Sequence, residues 1–457
     1  MTLTYFFAVA AVVLLFIVNF NIVVLALEFY LLLVYTLIRL NRGNFVIGPV
    51  GVYMGYFTLY IFLPSLLLYL LKIPGEIGLA TGFFVDERSI ALISLSMAGF
   101  LLGALLLGKG TSGAARLTDN SGLLGGQRLC LYGMVVLGFA LSSVYIIQNF
   151  SALTHVAAGS FSDHYVDVQQ FKTETMYGAS LFLQGMNQIL PIVVLFLFAH
   201  SYYYGKPRRL AKFLLVVTVM FHFLTGGLWV GFSVVVPIVL LRAYFIPESR
   251  KNIARYGISL AVVVLAALAA KYGFSADDNG GWFLVFHRFS SGARQLQFTL
   301  DNEHSYEYGF TYIRDVIALI PSIVKRPLFP EEYWSGFNGL MFYRMFGFYG
   351  GTAQVPLVGE FYMNGGALWV FLGSILHGAA VQRISNLLRH QQVKTTFGVV
   401  AAVVIGYRLG ESSVEGFGTR LFVSLLWLGI FYAVIRLYGV IVELAISREP
   451  GQISPVI

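Results

Sequence analysis

The chain has 457 residues, 58% of them hydrophobic and only 11% charged, with a mean hydropathy of +0.76 and a formal net charge of +8. That balance excludes a soluble globular enzyme. The single cysteine, Cys130, leaves no disulfide or thiolate metal site within one chain.

Apolar runs near twenty residues long recur throughout, the length that crosses a ~30 Å hydrocarbon core as a helix. The runs are continuous rather than alternating, which argues against membrane strands. Twelve spans are predicted, at about 3–18, 21–38, 47–71, 89–108, 129–148, 181–200, 211–225, 228–246, 256–273, 365–384, 395–410 and 421–442. The expected fold class is an all-α polytopic membrane protein, a single integral domain over residues 1–457. Only Asn19-Phe20-Asn21 separates the first two runs, so residues 1–38 read as one tilted span or as two. The N-terminus has neither a basic leader nor a cleavage signal, so the first span is expected to remain as an anchor.

Basic residues set the orientation. Arg39 and Arg42; Lys109, Arg116 and Arg128; Lys206, Arg208, Arg209 and Lys212; Arg242, Arg250, Lys251 and Arg255; Arg383, Arg389 and Lys394; and Arg436 and Arg448 share one side, 18 of the 30 Lys and Arg. That side is expected to be cytoplasmic. The other side takes 17 of the 22 acids. The positive net charge is mostly this inside bias and gives no argument for a nucleic-acid partner. Two sizeable loops then face outward, about 148–180 and 271–366.

The first outer loop holds His155, Asp163, His164, Asp167, Gln169, Gln170, Lys172 and Glu174. Ser162-Asp-His-Tyr-Val-Asp167 gathers acids and a histidine, yet the spacing matches no strong ligand template, and a solvated amphipathic helix explains it as well. No metal site is assigned. Downstream, Gln184, Asn187 and Gln188 share one helix face as interhelical hydrogen-bonders or cavity lining. Thr225-Gly-Gly227 reads as a tight turn.

The second outer loop carries Arg288, Arg294, Arg314, Arg326 and Arg344 among dense aromatics, including Tyr343. Val316–Val324 is an apolar stretch that can dip into the membrane interface as a short helix. Guanidinium groups offer a rigid donor fork suited to diphosphate oxygens, and they keep their charge at any usable pH. Aromatic faces and tyrosine hydroxyls suit sugars. Together they fit a lipid-diphosphate-linked saccharide. Arginines and aromatics also populate the headgroup belt of membrane proteins, so that reading stands beside the functional one.

Glu360 sits just before the tenth span, with Tyr362 and Asn364 close behind. It reads either as half of an ion pair with an outer-loop arginine or as a general base, or an orienter of one, for a sugar hydroxyl. His287 and Asp315 compete for the base role. Arg408 and Glu411, three apart at the outer end of the eleventh span, are expected to pair, with Arg408 as a further phosphate contact.

The large loop leaves through Pro356-Leu-Val-Gly-Glu-Phe-Tyr-Met-Asn-Gly-Gly366. With twelve-odd spans and scattered loop arginines, this resembles the O-antigen and oligosaccharide repeat-unit polymerases, the Wzy family. In that family a Gly-Glu-aromatic-Tyr-x-Asn-x-Gly pattern often leads from the loop into a helix. The Thr225-Gly-Gly turn resembles the family's Thr-Gly-x-Arg turn, but Leu228 stands where arginine is common.

The resemblance implies a glycosyltransferase architecture of the GT-C kind and an inverting, metal-independent transfer at the outer face of a bacterial cytoplasmic membrane. The growing glycan would leave an undecaprenyl-diphosphate carrier and join a carrier-linked repeat unit. The implied partners are those lipid-linked donor and acceptor molecules, a chain-length regulator and a flippase, with no cofactor. On this reading Arg288 and Arg344 act on the diphosphate with Glu360 or His287 as base. Arg294, Arg314, Arg408, Tyr343, Tyr362 and Asn364 bind substrate. An O-antigen ligase and a flippase share enough of the layout to stand as alternatives. Short loops and internal repeats, which transporters favour, are not visible.

Overall fold

A computed structural model describes residues 22–41, 48–77, 80–108, 130–140, 177–204, 208–224, 228–246, 289–302, 306–320, 322–330, 333–334, 336–347, 353, 355–393 and 395–447. The regular elements among these residues are helices, apart from one two-stranded antiparallel hairpin, Gly75–Ile77 with Ala80–Phe83. Six of the helices are long and apolar enough to cross a membrane: Ile22–Asn41, Pro49–Leu71, Glu87–Leu106, Leu357–Arg389, Thr396–Glu415 and Arg420–Ile441. The chain is therefore a helical, membrane-embedded protein. Each of the six coincides with a predicted span. Shorter apolar helices at Cys130–Ala140, Ile189–Tyr202 and Ser233–Phe245 fall within three more. The predicted spans at 3–18 and 256–273, the Thr225–Gly227 turn and most of the loop at 148–180 lie outside the described residues.

Local chemistry starts these helices where the sequence offers caps. Asp86 accepts the Ser89 N–H at 3.1 Å, and Thr395 accepts the Gly398 N–H at 3.1 Å. Each satisfies one of the four orphan donors at a helix start. Pro49 opens its helix at the first turn, where its missing N–H costs nothing. That span contains a π-helical turn, Thr58–Phe62, and ends at Lys72 in the left-handed conformation.

The tightest packing joins Glu87–Leu106 to Leu357–Arg389. A β-carbon on Gly99 would meet the Phe371 carbonyl at 2.6 Å, and one on Gly103 or Gly378 would collide with the Ile375 or Phe100 carbonyl. Small residues let the backbones close in, as is common between membrane helices. Ser96 and Ser374 hydrogen-bond across the seam at 2.8 Å. At the end of this pair predicted to be cytoplasmic, Gln382 and Ser385 bond Asn41, and Asn386 donates to the Leu107 carbonyl at 2.7 Å. This network ties three spans together at that end. The opposite end is where the outer-loop helices dock.

Candidate functional site

Helix Leu357–Arg389 is interrupted by Gly365 and Gly366, the latter with φ of +69°. A left-handed backbone favours glycine because it has no β-carbon. The break separates the first two turns, carrying Glu360 and Asn364, from the span proper. Asn364 uses its whole amide. Its Nδ2 donates to the Glu360 carbonyl at 2.9 Å and to Thr311 Oγ1 at 2.7 Å, while its Oδ1 accepts the Gly309 N–H at 2.8 Å. The Glu307 N–H adds a bond to the Met363 carbonyl at 2.8 Å. These bonds clamp the start of helix Phe310–Leu319 onto the exit segment. Asn364 is thus a positioning residue.

Glu360 is fully buried. Its Oε2 accepts the Phe417 N–H at 2.7 Å, and its Oε1 has no hydrogen-bond partner. Among the described residues no arginine or lysine pairs with it, so the ion-pair alternative is not the one realised there. It instead holds the turn Gly416-Phe417, where Gly416 has φ of +69° and a β-carbon would collide with the carboxylate. The second fully buried acid is Asp315. Its Oδ1 accepts the Phe337 N–H at 2.9 Å and its Oδ2 is unpartnered. The two carboxyls lie close enough to act on one another electrostatically. Burial pushes the Asp315 carboxyl up to about 7, against the opposing pull of the Phe337 N–H. Burial and the nearby Glu360 carboxyl raise the Tyr312 phenol as well.

In the segment between Ser291–Asp301 and Phe310–Leu319, Glu307 stands between two arginines. Arg344 Nη2 lies 3.0 Å from Glu307 Oε1, and Arg314 Nη2 lies 3.8 Å from its Oε2. The Arg314 guanidinium also stacks over the Tyr333 ring at 4.3 Å, a favourable use of its charge. The three charged groups sum to one positive charge. Arg344 keeps a quarter of its side chain exposed, and its neighbour Tyr343 is exposed. This is the rim of the site.

A second charged cluster lies at the hairpin joining Thr396–Glu415 to Gly418–Ser447. Arg408 pairs with Glu411, as expected from their spacing. Arg420 bridges Glu411 at 3.2 Å and Glu415 at 2.8 Å. Tyr407 donates to Glu411 at 3.2 Å, and Arg408 donates to Ser424 at 3.0 Å. Asn338, on helix Gly336–Phe346, donates to the Glu415 carbonyl at 3.3 Å and joins the loop to this cluster. A small cleft of about 10 Å³, room for about one water, is lined by Asn338, Arg408, Glu411, Ser412, Glu415 and Arg420 among others. The donors and acceptors that line it are largely satisfied by one another.

Of the residues singled out in the sequence, the structure gathers Arg314 and Arg344 around Glu307, and Glu360 and Asn364 on one short helix. Arg408 goes to the hairpin cluster. Tyr362 is half-buried, with its ring edge-on to Tyr306 at 6.3 Å between centroids. Arg294 is 2% exposed on helix Ser291–Asp301, closed to solvent rather than presented outward. His287 and Arg288 lie outside the described residues. Sequence reasoning missed Glu307, Asn338, Glu415 and Arg420. Glu411 and Glu415 are four apart on one helix, and Arg420 follows just past the turn, a pattern that was there to find. No family model, no curated protein and no solved structure matches this chain.

Proposed function

We propose that this protein is a membrane glycosyltransferase that polymerises undecaprenyl-diphosphate-linked oligosaccharide repeat units at the periplasmic face of a bacterial cytoplasmic membrane. The reading includes twelve spans in all and a GT-C-like arrangement. The observation that carries it is the Arg314–Glu307–Arg344 group: a net positive pair of guanidiniums, Arg314 buried and Arg344 a quarter exposed, beside exposed aromatics, on the end of a membrane bundle. In the reaction the acceptor hydroxyl oxygen attacks the anomeric carbon of the donor. The bond from that carbon to the diphosphate oxygen breaks, the hydroxyl proton passes to a base, and the carrier departs as its diphosphate. Preorganised guanidinium donors stabilise the negative charge building on that leaving group far better than water does.

Arg344 and Arg314 take the diphosphate role, with Arg288 as a further donor, and Tyr343 offers a sugar-stacking face. Arg408, buried and paired in the hairpin cluster, stands as a reserve phosphate contact. Glu360 takes the orienting rather than the proton-accepting role, because its bonded oxygen fixes the Gly416-Phe417 turn beside that cleft. His287 then becomes the base. Donor and acceptor are both carrier-linked saccharides, and a chain-length regulator and a flippase are the partners such a reaction requires in a cell.

Losing one charge-assisted contact to the leaving group costs ~1.5–3 kcal/mol, or about 10- to 100-fold in rate. Arg344→Ala is therefore expected to leave single repeat units in place of polymer, at normal protein level in the membrane. Normal chain lengths from this variant would remove the diphosphate role. Accumulation of long chains still on the carrier would instead point to a ligase.

A further inference from the structure

Two short helices of the loop, Phe310–Leu319 and Ser322–Leu328, carry apolar residues on their exposed faces. In Phe310–Leu319 the exposed residues are Phe310, Ile313 and Val316, each between 48% and 50% exposed, while Thr311, Arg314 and Asp315 are buried. Three-residue spacing puts the apolar trio along one face. Ser322–Leu328 exposes Val324 and Leu328 alongside Arg326, while Lys325 is only 5% exposed. Its ammonium donates to the Ala318 carbonyl at 3.2 Å and the Trp334 carbonyl at 2.7 Å. A water-facing helix turns its apolar stripe inward and its charges outward. Charged residues turned inward, with apolar ones outward, are the mark of an element whose surroundings are lipid.

The surface next to these helices has the same character. Tyr306 lies against the Gly365-Gly366 break, where a β-carbon on Gly366 would come within 2.8 Å of its hydroxyl. Immediately beyond that break, the span exposes Leu368, Trp369, Leu372 and Leu376. The apolar face of the loop helices therefore continues the lipid-facing surface of Leu357–Arg389. Tyr306, Tyr308 and Trp369, all partly or largely exposed, stand at the junction, where membrane proteins concentrate amphipathic rings.

We propose that the outward face of residues 306–328 is seated in the outer boundary of the bilayer, with Phe310, Ile313, Val316, Val324 and Leu328 among the lipid chains. The occupant of this face is the lipid surface itself. Arg314 and Asp315, on the opposite face of the same helix, then lie at the depth of the headgroups and upper chains. The inference stands on the exposure pattern and does not depend on the chemistry proposed above.

The test uses the full chain reconstituted in phosphatidylcholine vesicles. In a Cys130→Ala background, Ile313→Cys and Val316→Cys carry a small fluorophore. Leu372→Cys serves as a lipid-facing reference and Asn302→Cys as a water-facing one. Quenching by chain-nitroxide lipids at 313 and 316 is expected to approach that at 372. Quenching by aqueous iodide should be several-fold weaker than at 302. The inference is overturned if iodide quenches 313 and 316 as strongly as 302. Protection from both quenchers overturns it too, since protein would then cover the face. Phe310→Cys and Val324→Cys supply a second pair, read in the same way, if the first pair does not fold.

Discussion

Replacing Asp315 by asparagine is expected to stabilise the protein at alkaline pH and to leave it unchanged in acid. Asparagine keeps an oxygen to accept the Phe337 N–H, so the 2.9 Å bond survives. What disappears is a carboxyl that burial holds at about 7 instead of the ordinary 3.8. A tenfold change in proton affinity is worth ~1.4 kcal/mol, so this gap corresponds to roughly 4 kcal/mol. Between those two pH values the folded protein keeps a proton that the unfolded chain has released. Stability therefore falls as pH rises from about 4 to about 7 and levels off above. The neutral amide has no such loss. Thermal unfolding of the purified protein in detergent, at pH 5 and pH 8, reads the difference. The variant should exceed the parent by about 2–4 kcal/mol at pH 8, a shift of several degrees, with the gap narrowing in acid. A gap that is absent at pH 8, or equal at both pH values, refutes the account of this buried acid.

Three further outcomes follow from the same geometry. Glu360→Ala leaves the Phe417 N–H unpaired in a buried site and should cost about 1–3 kcal/mol, whereas Glu360→Gln keeps an acceptor and should cost clearly less; melting temperatures of the two variants check this. Gly416→Ala sets a β-carbon against the Glu360 carboxylate at a φ of +69° and should lower stability by about 1–3 kcal/mol in the same assay. Arg408→Ala removes one of two arginines from the buried Glu411 and should cost about 3–5 kcal/mol, seen as lost yield of folded protein. The double change Arg408→Met with Glu411→Leu should recover most of that yield.

Membrane spans were legible because hydrocarbon thickness imposes a length on apolar runs, and six runs reappear as helices of spanning length. The Arg408–Glu411 pair was legible because a three-residue spacing places both side chains on one helix face. The motif Gly359–Gly366 was visible as well, but its geometry was not. The exit helix begins at Leu357, ahead of the predicted span, and breaks at the paired glycines. Glu360 was noticed as an acid, read either as half of an ion pair or as a base or its orienter. Its partner is a backbone N–H 57 residues away, and local spacing carries no record of such a contact. Arg294 and Arg314 look alike in sequence. Both are buried, but only Arg314 stacks on Tyr333 beside Glu307, a difference that only tertiary packing decides. The stripe Phe310, Ile313 and Val316 was readable as a periodicity. Which way it faces depends on the helix's neighbours.

The central claim is polymerisation from a lipid-diphosphate donor. Purified full-length protein should be incubated with a synthetic undecaprenyl-diphosphate-linked oligosaccharide of the host's repeat structure, without metal or nucleotide sugar, and the products sized. The account predicts a ladder spaced by whole repeat units, lost in Arg344→Ala. Unextended starting material, from folded protein given the correct repeat unit, would contradict it.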